Sequence, residues 1–131
     1  FGRVGCFLAG CCHGRPAGQN LFSVIFTNPA CEVDPALLGV PLYPTQLLEA
    51  AGNLAIFFLL HLALKKRFRP GAVLALYAAL YSAQRFLIEF LRGDDRGVLR
   101  LGLSPAQFIS AAAFTAAVLL FAALKVKNEK K

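Results

Sequence analysis

Apolar residues in this chain gather into three long runs, separated by clusters of charge, glycine and proline. A bilayer core about 30 Å thick is crossed by a helix of about 20 mostly apolar residues. Stretches 44–64, 71–91 and 105–125 meet that length and are read as transmembrane helices. The first opens at Pro44-Thr45, with proline suited to a first turn and Thr45 as its cap, and stops at the basic loop Lys65–Pro70. The third opens on Ser104-Pro105-Ala106-Gln107, a capping-box pattern, and its body is rich in small residues that suit close helix packing. Residues 1–16, punctuated by Gly2, Gly5, Gly10 and Gly14, are too short and broken to span a bilayer alone. Residues 17–43 hold a β-prone run from Leu21 to Thr27, ended by Asn28-Pro29, and then a stretch rich in proline and glycine. They are read as an extracytoplasmic excursion with one or two short strands, and 126–131 as a cytoplasmic tail. The expected fold is an all-α polytopic membrane protein, the whole chain forming part of one membrane domain.

Two polar stripes interrupt the apolar helices. Tyr77, Tyr81, Arg85, Glu89 and Arg92 recur at helical spacing on the second helix, and Gln46, Glu49 and Asn53 do so near the start of the first. A charge at the bilayer centre costs ~2.5–3.5 kcal/mol or more, so Arg85 and Glu89 should face protein or a wet cavity. Packing one stripe on the other would bury both. Arg85 lies about 9 Å from the outer helix end at ~1.5 Å rise per residue, a depth that suits a lipid headgroup phosphate. His61, near the basic loop, reads as interfacial.

Composition narrows the class. The chain of 131 residues is 57% hydrophobic, too apolar for an ordinary soluble domain. Its net charge of +7 comes from basic residues flanking apolar runs, which argues for a membrane and against nucleic acid. Lys65, Lys66, Arg67 and Arg69, with Lys125, Lys127, Lys130 and Lys131, put one side of a three-span arrangement, including the C-terminus, in the cytoplasm. The chain has no methionine, and the expectation is that it is the C-terminal part of a longer protein. Cys6, Cys11, Cys12 and His13, with Cys31 further on, are donors for a soft metal. Three adjacent residues rarely ligate one ion together, so no metal centre is assigned. A disulfide from Cys11 or Cys6 to Cys31 stays open.

Three stretches, G-R-V-G-C-F-L-A-G-C-C-H-G-R-P, Y-P-T-Q-L-L-E and Y-S-A-Q-R-F-L-I-E-F-L-R-G-D, resemble in order and spacing the C-terminal half of the prolipoprotein diacylglyceryl transferase family. The resemblance implies a bacterial inner-membrane enzyme, multi-pass and without a cofactor. Such an enzyme moves the diacylglyceryl group of phosphatidylglycerol onto the lipobox cysteine of a prolipoprotein, releasing glycerol phosphate. Its partners would be phosphatidylglycerol, prolipoprotein signal peptides and membrane lipids. By position, Arg3, Arg85, Tyr81 and Glu89 carry the catalytic expectation, and Arg3, Gly14, Gln46, Glu49 and Arg85 the substrate-binding one. Positioned guanidinium groups would stabilise the departing phosphate, held in place by Glu49 and Glu89, with Tyr81 donating a hydrogen bond. Family members often carry Asn where Cys6 stands, Glu at Cys11, His at Tyr43 and Tyr at Leu48. The departures at Cys6 and Cys11 bear on the polar network around Arg3. The family's essential histidine, in an upstream His-Gly-Gly segment, has no counterpart here, so no general base is named. Two alternatives belong to other classes: a non-catalytic lipid-binding membrane protein, and a Cys/His metal or redox protein.

Overall fold

A computed structural model describes residues 1–18, 21–65, 71–93 and 103–129. Its elements are α1 (Gly2–Ala9), β1 (Val24–Ile25), a 3-10 turn (Pro35–Leu37), β2 (Pro41–Leu42), α2 (Thr45–Lys65), α3 (Ala72–Glu89) and α4 (Pro105–Glu129). The charges of the 66–70 loop, of the turn carrying Arg96 and Arg100, and of Lys130 and Lys131 lie outside the described residues. The chain divides into two units, one holding Phe1–Ala51 and the chain from Ile88, the other Gly52–Leu87 and the C-terminal helix.

In the first unit, α1 ends because Gly10 adopts φ +79°, which turns its N–H back to Phe7 O and that of Cys11 to Cys6 O. A side chain at Gly10 would also meet Cys31, whose Cβ lies 2.9 Å from the position a Cβ would take. Beyond this turn the chain runs through Gly14–Ala17 as a thread between two others. On one side Gly14 N–H donates to Tyr43 O at 2.9 Å, Tyr43 N–H to Arg15 O at 3.1 Å, and Ala17 N–H to Pro41 O at 2.8 Å. On the other, Arg15 N–H donates to Leu91 O at 2.9 Å. The β-prone run of 21–27 shrinks to Val24–Ile25, paired antiparallel with Pro41–Leu42. Pro41 has no N–H to extend the ladder, which keeps the pairing short. Leu42, fully buried, sits opposite Val24 and bridges Pro16, and with Val33 and Ala17 forms the core of this unit.

Two helix ends differ from the sequence reading. Thr45 is the first residue of α2 rather than its cap; it is buried, and its hydroxyl donates to Cys12 O at 2.9 Å. The hydroxyl serves as a donor to a distant carbonyl where a cap would have it accept from a nearby N–H. Likewise α3 stops at Glu89 instead of Leu91. Leu91 and Arg92 close tighter turns onto Ile88 O and Glu89 O, and the chain then joins the 14–17 thread, Arg92 bridging Gly14. Arg92 therefore leaves the helical stripe.

In the second unit the helices are inverted relative to a soluble protein. Apart from Ile56, the buried positions among the described residues are small or polar, including Ala63, Ala72, Ala75, Ala117, Ser82 and Ser110. Phe57, Phe58, Leu74, Leu87, Ile109 and Leu119 face outward. Small residues let helix backbones approach, and apolar side chains suit lipid. Gly52 shows how close that approach is: a Cβ there would lie 2.6 Å from the Gln84 amide of α3. The capping box at the start of α4 forms in full, Gln107 N–H donating to Ser104 Oγ and Ser104 N–H to Gln107 Oε1. Helix α4 continues to Glu129, since neither proline nor glycine follows Pro105. Among the described residues two helices are long and apolar enough to cross a membrane, α2 over its 21 residues and α4 over the 20 of Pro105–Leu124. Helix α3, 18 residues long with Gln84, Arg85 and Glu89 toward its end, is not among them.

Gly14 tests the threaded arrangement. A Cβ there would lie 2.6 Å from Tyr43 Cβ and 2.7 Å from the carbonyl oxygens of Tyr43 and Leu91. Two of these three neighbours are backbone and cannot swing aside. Gly14→Ala is expected to destabilise the solubilised protein by about 1–3 kcal/mol, the range for overpacking. Gly5→Ala, with open space around its Cβ, is expected to be neutral or mildly stabilising. Thermal unfolding of the two variants checks the contrast.

Candidate functional site

The first turns of α2 lie against α1 and the turn that follows it. Arg3 and Glu49, 46 positions apart, meet there: an Arg3 guanidinium N–H donates to Glu49 Oε1 at 2.7 Å. The Glu49 side chain is 3% exposed and that of Arg3 27%, so the carboxylate is buried and the guanidinium still reaches outward. One turn earlier Gln46, 1% exposed, donates from Nε2 to Cys11 O at 2.7 Å. Its Oε1 accepts no hydrogen bond among the described residues. Asn53, on the same stripe, is exposed.

Around the turn after α1 the sulfur atoms of Cys6, Cys11 and Cys12 lie within 4.8 Å of one another. All four cysteines are free thiols, so neither disulfide to Cys31 is formed. Burial, reinforced by a hydrogen bond with Cys6, pushes the Cys11 thiol up to about 12. At Cys12 burial also pushes upward, but a hydrogen bond from the Arg92 guanidinium, another from Cys11, and the charges of Arg92 and Arg3 outweigh it, so this thiol falls below the ordinary range. Cys12 has φ +59°, unusual for a residue with a side chain, and its carbonyl and that of Cys11 are held by Thr45 and Gln46. His13 does not join the thiols; its Nδ1 lies 3.1 Å from Gly14 O.

The sequence-predicted residues thus fall into two sets. Arg3, Gly14, Gln46 and Glu49 come together in the first unit, which also includes Glu89, the last residue of α3. Tyr81 and Arg85 belong to the second unit. There the Tyr77 and Tyr81 rings stack with centroids 5.8 Å apart, both exposed. An apolar groove of about 360 Å³ runs between α3 and α4, lined by Ser82, Phe86, Leu87, Ser110, Phe114 and Thr115. Sequence reasoning did not assign Thr45 or Arg92 to the site. Their partners are a carbonyl and a thiol, 33 and 80 positions away, which no local pattern announces.

A family model described as prolipoprotein diacylglyceryl transferase matches residues 1–123. Phosphatidylglycerol–prolipoprotein diacylglyceryl transferase 2 of Clostridium perfringens is 42% identical over 100% of this chain and 49% of its own length. The enzyme of that name from Clostridium tetani is 41% identical over 84% of this chain and 42% of its own. One from Dehalococcoides mccartyi is 43% identical over 92% and 44%. The chain spans about half the length of the curated relatives it matches. No solved structure matches it.

Two measurements follow from the geometry. Removing one partner of a buried ion pair costs ~3–5 kcal/mol, and partial exposure of Arg3 places this pair toward the low end. Arg3→Ala, which strands a buried carboxylate, is expected to lower the unfolding midpoint more than Glu49→Gln, which keeps an acceptor for the guanidinium. The reverse order would contradict the pairing. At pH 8 iodoacetamide should alkylate Cys12 well before Cys11, as read by fragment mass spectrometry. Arg92→Ala should slow the Cys12 reaction, because its thiol then titrates at higher pH. Equal labelling of the two cysteines would contradict the assignment.

Proposed function

Because this chain belongs to the prolipoprotein diacylglyceryl transferase family, we propose that it is the arginine-bearing part of an enzyme transferring the diacylglyceryl group of phosphatidylglycerol to the lipobox cysteine of a prolipoprotein. In that reaction the substrate thiolate attacks a glyceryl carbon and forms a C–S bond. The C–O bond to phosphate breaks, and glycerol phosphate leaves with the electron pair. Negative charge grows on the departing group, and a guanidinium, which offers two parallel N–H donors to phosphate oxygens, stabilises it better than an ammonium.

The observation that carries this reading is the pairing of Arg3 with the buried Glu49 carboxylate. Glu49 holds one guanidinium nitrogen, and the Arg3 side chain remains partly exposed, which in this reading leaves it able to meet an anion. Arg85 supplies a second guanidinium, with Tyr81 one turn before it and Glu89 one turn after. Gln46 and Gly14 hold the frame, Gln46 through the Cys11 carbonyl and Gly14 through its close backbone approach. The nucleophile belongs to the substrate, so the cysteines of this chain need not react. In this reading α3 also spans the membrane, between α2 and α4 in the chain. Arg3, Glu49 and Arg85 lie toward the extracytoplasmic face of a bacterial inner membrane, and the C-terminus is cytoplasmic.

The full-length protein, reconstituted with phosphatidylglycerol, is expected to attach diacylglycerol to a lipobox peptide. Arg85→Lys and Arg3→Lys keep the charge but lose the fork. Each should cut labelling at least about 100-fold, the loss typical of one transition-state donor, while insertion and folding persist. Normal labelling in both variants would refute the phosphate role. A protein that binds phosphatidylglycerol without transferring it would instead be the non-catalytic lipid binder.

A further inference from the structure

The turn that ends α1 does more than reverse the chain. It carries Cys11 and Cys12 back over the last turn of the helix, so that their sulfurs meet that of Cys6. We propose that Cys6, Cys11 and Cys12 form a three-thiolate site for a soft closed-shell cation, with Cu(I) its best occupant.

The geometry fits the ion with little movement. A metal bonded to three sulfurs at about 2.3 Å each in a plane sets them roughly 4.0 Å apart. The three sulfurs already lie within 4.8 Å of one another. Thiolates select Cu(I) and zinc among available cations. Zinc in a structural site asks for four ligands, and this group offers three. His13, the donor adjacent in sequence, turns its Nδ1 to Gly14 O, and the Glu49 carboxylate is engaged by Arg3. Three sulfurs without a fourth partner satisfy Cu(I).

The surroundings suit the charge such a centre carries. Three thiolates around a monovalent ion leave two negative charges. Arg92 donates a hydrogen bond to the Cys12 sulfur, and the Arg3 charge acts on the same thiol. Outer donors of this kind orient the ligands of a metal and tune it. The carbonyls of Cys11 and Cys12 are drawn away by Gln46 and Thr45, which fixes the backbone that presents the sulfurs. All three cysteines are half-buried, leaving access for a small ion. The thiols adjoin Arg3 and the Cys11 carbonyl held by Gln46, but the proposal does not rest on the transfer reaction.

The test is titration of the reduced full-length protein with Cu(I) against a chromogenic chelator, under argon and with a phosphine reductant. The expected result is one equivalent of Cu(I) held per chain. Cys6→Ser, Cys11→Ser and Cys12→Ser should each weaken binding at least about tenfold, the loss that even an outer-shell partner brings. Cys31→Ser should retain the full equivalent. Alkylation followed by mass spectrometry supplies a second readout, with Cu(I) shielding Cys6, Cys11 and Cys12 but not Cys31. Absence of stoichiometric uptake would overturn the proposal. So would uptake unaffected by the three serine variants, or zinc displacing Cu(I) from the same thiols.

Discussion

The arrangement of the first unit depends on backbone hydrogen bonds made by three residues of one short segment, Gly14, Arg15 and Ala17. The thread satisfies its own amides by donating to Tyr43, Pro41 and Leu91, and accepts one bond back from Tyr43. Buried main-chain groups must be paired, and most strongly so where no water replaces a lost partner. A chain segment with no helix of its own can persist here only because it lies between two neighbours. That requirement draws together three stretches far apart in sequence, residues 1–17, 41–49 and 88–93. The absence of a Cβ at Gly14 sets how near they come.

Once the thread is in place, the buried Glu49 carboxylate becomes tolerable. Removing a carboxylate from water costs several kcal/mol, and the loss is offset only by a well-placed cation with further hydrogen bonds. Arg3 supplies that cation from the first turn of α1, a helix held by its own glycine turn and by Glu32 N–H donating to Ala9 O. The reciprocal consequence matters for function. A guanidinium gripped along one edge by a fixed carboxylate loses less freedom on meeting an anion than a free side chain would.

What was legible from sequence follows the range of the forces involved. Apolar runs gave the positions of α2, α3 and α4, and the capping box at Ser104–Gln107 needed only neighbours to be recognised. Gln46 and Glu49 stood out because polar residues at helical spacing in an apolar run demand partners. Their partners were another matter. Gln46 reaches the Cys11 carbonyl and Glu49 reaches Arg3, partners that no local spacing announces. Thr45 looked like a cap, since nothing local reveals that Cys12 O would claim its hydroxyl. The early end of α3 has the same origin, because the residues past Glu89 make backbone bonds to a thread some 75 positions earlier. Pattern registers which residues must be satisfied; only the fold decides by what.

The cysteines sharpen that point. Cys6 and Cys11 stand where the family often carries asparagine and glutamate, a departure bearing on whether Arg3 keeps its polar surroundings. The anchor of Arg3 is Glu49, which neither substitution touches. Cys11 contributes to the frame through its main-chain carbonyl, a group that every residue type provides. The exchange of two polar side chains for thiols therefore leaves the arginine and its carboxylate in place. It sets two sulfurs beside that of Cys12, near the Arg92 and Arg3 charges.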